Sequence, residues 1–320
     1  MVYWTGGEDI DFPNGATPTY YAYHRATFSR AAMGVNGSLP TKGETFSPQT
    51  SLWLSFWSSP YAAYGPGYVG LGNSGSDSGL FVSTDAGDST KITLVKRDAG
   101  VLTVLATGPT GYYTNAPTLH KVDIQVGNYG ASGTVNVWVD GFQLISYSGA
   151  IAATGVTNLD QVWLWGATAS VNASEFVVAD QDTRAIQGVL TMAPVAAGTT
   201  NTWSNSGFAV VSPIGYDDSN AAYTNTAAQD AQYNLTDQPA IITSVVAVRV
   251  VARAMHTAGS TATGVALGFN SGGSVAVAAT HALGTGFGTV SDLFAQNPVT
   301  SAPWGGATEM NALQIEMRSA

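Results

Sequence analysis

HKVDIQVGNYGASGTVNVWVDGFQLISYSG at residues 120–149, LDQVWLWG at 159–166 and SEFVVADQDTR at 174–184 decide the fold class. Apolar residues alternate at Val122, Ile124 and Val126 and again at Val135, Val137 and Val139, the period-two pattern of strands with one buried face. Asp140-Gly141 between the second and third strands suits a type I′ turn, whose two central positions need positive φ and whose twist matches the strands it joins. These segments read as the core of an antiparallel sandwich.

Working outward, SLWLSFW from Ser51, YVGLG, GLFVST, KITLVKR, an Asp98-Ala99-Gly100 turn and VLTVLATG add strands at jelly-roll spacing. Residues 1–50 read as an irregular segment, with turn signals at Pro13-Asn14-Gly15, Asn36-Gly37 and Pro48, packed on the sandwich or on a neighbour. The pattern breaks around Asp180 to Gln187, which predicts a jelly-roll domain over 51–184 and a smaller β-sandwich over 185–320. In the second domain AIITSVVAVRVVARAM, TATGVALGFN, SVAVAATHAL and ALQIEMR read as strands. In the last of these Leu313, Ile315 and Met317 alternate with Gln314, Glu316 and Arg318, so one face should pack and the other meet solvent or a partner.

Composition narrows the function. Only 10% of residues are charged, against roughly 25% in an average soluble domain, so long salt-bridged helices are not expected. Eleven basic residues against 21 acidic ones, with Lys and Arg scattered singly, supply no stripe to neutralise phosphates, which argues against nucleic acid or anionic membrane as partner. The absence of cysteine removes disulfides, thiolate metal sites and Cys nucleophiles together. The N-terminus MVYWTGGEDIDF lacks the basic and apolar regions of a secretory signal, and the apolar run from Ser244 to Met255 is broken by Arg249 and Arg253, so a product made in the cytoplasm without a membrane span is expected. A low-charge, Gly/Ser/Thr-rich all-β chain of this kind is an uncommon cellular enzyme and a common kind of virion component.

Several residue groups invite a chemical reading. The loop SSPYAAYGPGY sets Tyr61, Tyr64 and Tyr68 among small residues just after Trp53 and Trp57, and Tyr112 and Tyr113 follow a Thr110-Gly111 turn. Rigid amphipathic rings on loops make good contact surface for a glycan or a partner, because they lose little entropy and carry a hydroxyl. The same rings could instead cap the sandwich edge or a subunit contact. Asp180 and Asp182, with Glu175 nearby, could hold a hard cation, but a full set of spaced ligands is missing, and solvated turn carboxylates or an Asp182 to Arg184 contact are the default. No metal and no cofactor are expected. His24, His120, His256 and His281 show no ligand spacing, and neither a Gly-x-Ser-x-Gly elbow nor a phosphate loop occurs.

Through GTVNVWVDGFQL, LDQVWLWG and ASEFVVADQDTR, residues 51–182 resemble the concanavalin A-like, laminin-G-like jelly roll. Residues 186–320 resemble the C-terminal β module that often follows such a domain in tailed phages, through TWSNSG, AQDAQYNLTDQPA and DLFAQNPVTSAPW. The resemblance implies a non-enzymatic virion structural protein of the tail fibre, tail tip or head decoration type, assembled with other virion proteins and with copies of itself, a homotrimer by expectation, with host surface glycan as a candidate ligand. The alternative is a soluble carbohydrate-binding module or polysaccharide depolymerase. Glycosidases of the laminarinase-like group carry Glu-x-Asp-x-x-Glu on one strand to flank the scissile bond. The five glutamates here, at 8, 44, 175, 309 and 316, never take that spacing, so no catalytic residues are assigned.

Overall fold

The computed structural model describes residues 1–6, 12, 19–21, 32–59, 67–111, 119–205, 218 and 221–320, with backbone alone at 19–21, 32–39, 59 and 167–172. The chain divides into two compact units, Met1–Leu190 and Thr191–Ala320.

The first unit is built from β1 (Val2–Gly6), β2 (Thr19–Tyr21), β3 (Ala32–Gln49), β4 (Leu52–Ser59), β5 (Gly67–Asn73), β6 (Ser78–Thr84), β7 (Ile92–Asp98), β8 (Val101–Thr107), β9 (His120–Gly127), β10 (Gly133–Val139), β11 (Phe142–Gly149) and β12 (Leu159–Ala179). All twelve belong to one antiparallel network whose main path runs β11-β10-β9-β4-β12-β5-β6-β7-β8. The network folds onto itself at β12. Gln161–Gly166 of that strand pairs with β5, whereas Asn172–Ala179 pairs with β4. One long strand therefore serves both layers of a jelly-roll sandwich.

The alternation read from the sequence fills the space between the layers. Leu54, Phe56, Val122, Ile124, Val135 and Val137 from one layer share a buried cluster with Val69, Leu71, Leu80, Val82, Ile92 and Leu94 from the other. The Asp140-Gly141 turn has φ of 51° and 82°, as a type I′ hairpin requires, and Ala99-Gly100 repeats the device at 47° and 86°. His120 Nδ1 lies 2.7 Å from Asp140 Oδ2, and the Lys121 amide donates to the same carboxylate at 2.9 Å, which ties the first hairpin back to β9.

Within residues 1–50, the described segments are strands of the sheet: β1 pairs with Phe176–Ala179, and β3 runs along β12 from Leu159 to Ala173. Register shifts along β3 break its alternation, so Gly43 faces Trp4 and Phe12 while Phe46 also turns to the core. Turn residues that would end a regular strand are tolerated at such irregularities.

The second unit contains β13 (Pro194–Asn201), β14 (Asp230–Leu235), β15 (Val248–Ala254), β16 (Gly264–Ser271), β17 (Ser274–Val277), β18 (His281–Ala282), β19 (Gly288–Phe294), the one-turn helix α1 (Ala307–Met310) and β20 (Leu313–Ser319). A sheet ordered β13-β14-β20-β16-β17, with β18 also on β16, faces the β15–β19 pair across a core of Val250, Val265, Leu267, Phe269, Trp304 and Leu313. Phe269 meets Phe294 and Trp304 edge-on at 5.2 and 5.4 Å. The expected strand over 240–255 is shorter than its sequence suggested: only Val248–Ala254 pairs, and Ile241 is exposed, because the Ile242 carbonyl instead accepts the Ala307 amide that opens α1.

The final strand also departs from its alternating pattern. Leu313, Ile315 and Met317 pack as expected, but the opposite face is covered too. There Asn270, Gln232, Gln314 and Asn234 form a ladder of side-chain hydrogen bonds of 3.0 to 3.3 Å. A bulge in β13 between Ala197 and Asn201 sets the Thr200 amide on Gln232 and the Thr199 amide on Gln314.

Candidate functional site

The face of β5, β6 and β12 turned away from the core carries an aromatic cluster of its own. Val162 and Leu164 point inward, so Trp163 and Trp165 must point outward, and both are buried nonetheless. Phe81 on β6 and Tyr68 on β5 complete the group. Tyr68, directly opposite Trp165 in register, stacks on it at 4.7 Å and 14°, while Phe81 meets Trp165 edge-on at 4.4 Å. The rings fit because β5 offers glycine where other strands carry side chains. A methyl at Gly72 would lie 2.2 Å from Trp163 Cε2, and one at Gly79 would lie 2.7 Å from Phe81 Cζ.

Polar groups rim these rings. Trp163 Nε1 donates to Gln161 Oε1 at 2.7 Å, and Gln161 Nε2 donates in turn to the Gly43 carbonyl. Lys42 of β3, opposite Trp163 in register, holds its ammonium 4.0 Å over that ring. The Arg97 guanidinium lies 5.0 Å over Trp165 and is fixed by two bonds to Asp77, of 2.8 and 2.7 Å. Among the described residues, neither the Tyr68 hydroxyl nor the Lys42 ammonium has a hydrogen-bond or ion-pair partner. Burial raises the Tyr68 pKa, an effect that Arg97 partly offsets, so the phenol stays neutral near physiological pH and can both donate and accept. Trp163, Trp165 and Phe81 are closed to solvent, so a ligand meets the half-buried Tyr68 and Lys42 that lie over them, and the arrangement can bond it through a hydroxyl and an ammonium.

Of the residues singled out in the sequence, Tyr68 joins this face. Tyr61, Tyr64, Tyr112 and Tyr113 lie outside the described residues. Trp57 does not join Tyr68: it sits on β4, in the other layer, and its Nε1 donates to the Gln187 carbonyl at 3.3 Å. Its indole N–H is therefore engaged with a segment of this chain. Trp163, Trp165, Lys42 and Arg97 were not singled out, although WLWG facing GLG at the same period carried the signal.

A second aromatic pair occupies the outer face of the other layer. Trp53 and Trp138 stack at 5.1 Å, and Arg184 lies over both, 4.7 Å from Trp138. Residues 180–190 cover this pair. Lys121 Nζ donates to Asp123 and to the carbonyls of Thr183 and Arg184, each at 3.1 Å, and Thr183 Oγ1 donates to Asp123 at 3.0 Å. The acidic group considered for a cation is spoken for: Asp182 pairs with Arg184, the contact named as the default; Asp180 accepts from the N-terminal ammonium; Glu175 accepts the Val189 amide. Among the described residues no three His, Asp or Glu side chains are placed to share a metal ion.

No family model matches the sequence, and no curated protein matches it. Similar solved structures include a carbohydrate-binding module from Bacillus subtilis, with 11% identity over 52% of this chain and 94% of that one and a TM-score of 0.40. An endo-β-1,4-glucuronan lyase from Trichoderma reesei is 10% identical over 57% of this chain and 96% of its own, with a TM-score of 0.38. A heptameric pentraxin from Limulus polyphemus is 11% identical over 54% and 83%, with a TM-score of 0.36. The fold class rests on the strand order and pairing themselves, which are those of an antiparallel sandwich.

Proposed function

We propose that the first unit is a glycan-binding domain and that the chain is an attachment subunit of a virion, in a tail fibre, tail tip or head decoration, without catalysis of its own. The observation that carries the glycan reading is the pair of polar groups without a hydrogen-bond partner among the described residues, the Tyr68 hydroxyl and the Lys42 ammonium, each lying over a buried tryptophan. The half-buried Tyr68 ring can meet the apolar face of a sugar while its hydroxyl and the Lys42 ammonium bond the sugar's polar groups. The structural neighbours include a carbohydrate-binding module, which is consistent with this reading but does not bear its weight. Asp77, which reaches this face through Arg97, is held by it in two bonds, which supports a binding role over a catalytic one for that carboxylate. The virion setting rests on the sequence resemblance and on the composition.

Tyr68→Ala should lower the affinity for a glycan found on an array by about tenfold or more, since it removes a stacking ring and a hydroxyl, with the far-UV spectrum unchanged. Unchanged affinity would remove the site. The same polysaccharide should keep its chain length after incubation with the protein; shortened chains would replace this reading with that of a depolymerase.

Assembly follows from the same proposal. β8 ends the sheet path with Val101, Leu102 and Val104 exposed and no charged residue, an edge of the kind that pairs with another strand unless it is blunted. Repeated subunits would turn weak single-site binding into firm attachment, because later contacts become intramolecular. Light scattering of the purified chain should give a trimer mass, and a monomer at micromolar concentration would count against a fibre-like assembly.

A further inference from the structure

We infer that the aromatic face of the first unit selects acidic glycans, sugars carrying a carboxylate or sulfate, and that Lys42 is the residue that selects them. The inference rests on the glycan-binding reading above and narrows it. Of the other described cations of this unit, Arg97 is matched to Asp77, Lys121 to Asp123, Arg184 to Asp182 and Lys91 to Asp88, while Lys96 has the strand parity of the core residue Leu94, opposite to that of Arg97 on this face. Among the described residues Lys42 has no such partner; its ammonium lies on the face of Trp163, 4.0 Å from the ring centroid. An ammonium held over an indole is positioned but not neutralised. An arriving anion can therefore bond it without displacing a carboxylate.

Position makes Lys42 selective rather than merely attractive. β12 runs between β3 and β5, so Lys42 and Tyr68 flank it from opposite sides, one beside Trp163 and the other beside Trp165. The two tryptophans are two residues apart on one strand, about 6.6 Å, a span that one sugar ring with its substituents can bridge. A ring seated near Tyr68 thus directs a substituent toward the Lys42 ammonium. Arg97, doubly bonded to Asp77, shapes the floor and is not available in the same way. The chain as a whole carries −10, so its net field repels an acidic ligand, and preference for one has to come from a placed cation.

The test uses the full chain and four probes: a polyuronate oligosaccharide, its carboxyl-reduced counterpart, a sulfated oligosaccharide and its desulfated counterpart, each titrated by calorimetry. The wild type should bind one acidic probe about tenfold more tightly than its neutral counterpart, the scale of one charge-assisted hydrogen bond. Which of the two pairs shows the ratio identifies the anionic group. Lys42→Gln should erase the ratio and Lys42→Arg should keep it, with melting temperatures close to the wild type. Equal binding of acidic and neutral probes, or a ratio that survives Lys42→Gln, overturns the inference. If Tyr68→Ala abolishes binding while Lys42→Gln changes nothing, the acidic selection fails and the glycan site stands. If the wild type binds none of the four, both readings fail.

Discussion

Asp123→Ala should destabilise the first unit by about 3–5 kcal/mol, the usual cost of removing one partner from a buried ion pair. Asp123 is 1% exposed and accepts from both Lys121 and Thr183. Without it the Lys121 ammonium stays in a nearly dry site with only two backbone carbonyls to receive its protons, and a buried unpaired charge costs more than a lost hydrogen bond. The change should also be visible locally. Residues 183 and 184 are fastened by this cluster, so their release would lift Arg184 from the Trp53–Trp138 stack and open the bond after Arg184 to trypsin. Urea unfolding and limited proteolysis of the variant check both effects. A shift below about 1 kcal/mol, with trypsin cleavage no faster than in the wild type, would show that the fastening does not depend on Asp123. The double change Lys121→Met with Asp123→Leu should recover only part of the loss. Apolar residues of similar volume can replace a buried pair, but here they leave the Thr183 and Arg184 carbonyls without their donor.

The same cluster shows where sequence reading stops. Lys121 and Asp123 alternate with Val122 and Ile124, which reads as a strand with one wet face, and the strand and its core face are as that pattern implies. Nothing in the alternation reports that a segment some 60 residues later returns to cover the polar side. The break in pattern near Asp180 marks the end of β12, while the compact unit continues to Leu190 because those residues are bonded back onto β9 and β4. Hairpins were legible for the opposite reason. Asp140-Gly141 is decided by local backbone sterics, so two residues suffice.

The candidate site was legible in one residue and hidden in its neighbours. Tyr68 drew notice as a loop aromatic, yet it acts from the start of β5, where its partner is Trp165 from a strand nearly 100 positions away. Trp163 and Trp165 stood in the sequence only as part of the strand LDQVWLWG. Two facts separate them from the core: they share the parity opposite to Val162 and Leu164, and the strand beside them carries Gly70 and Gly72 where a ring needs room. Each fact is written in the sequence, but pairing β5 with β12 is what joins them. Lys42 was beyond reach, since register shifts in β3 decide which way it points.

Glu316 sets the second large effect, on the second unit, where stability should fall by roughly 3 kcal/mol as pH rises from about 4.5 to about 7. Its side chain is 0% exposed, and neither carboxylate oxygen has a hydrogen bond in the structure. Burial pushes its pKa up to about 7, and the neighbouring Asp230 carboxylate pushes the same way. The charged groups facing it are Asp230 on β14 and Arg318 on β20; β16 sets Gly268 beside it, and the β13 bulge adds only the Thr199 and Thr200 amides to the ladder. Arg318 offers little relief, because its guanidinium is bonded to Asp230 at 2.6 and 3.1 Å and stays 3.9 Å from Glu316. The raised pKa means that the folded unit holds the proton more tightly than the unfolded chain. The stabilisation is complete below about 4.5, where both states carry the proton, and is lost as pH climbs through 7 and the folded unit must bury an anion. Asp230 acts in the opposite sense: its Arg318 bonds hold its pKa low, so its contribution fades as pH falls through that depressed value. The two together place the stability maximum of this unit on the acid side of neutrality. Glu316→Gln keeps the shape without the titration, and hydrogen exchange of the Leu313–Ser319 strand in the full chain, read against this variant at each pH, isolates the effect. The wild-type strand should lose protection relative to the variant between pH 5 and 8; the cost of burying the amide, about 1–3 kcal/mol, is the same at every pH and displaces the variant's curve without changing that loss. Parallel profiles for the two proteins would mean that Glu316 is ionised throughout and that Arg318 reaches it in solution.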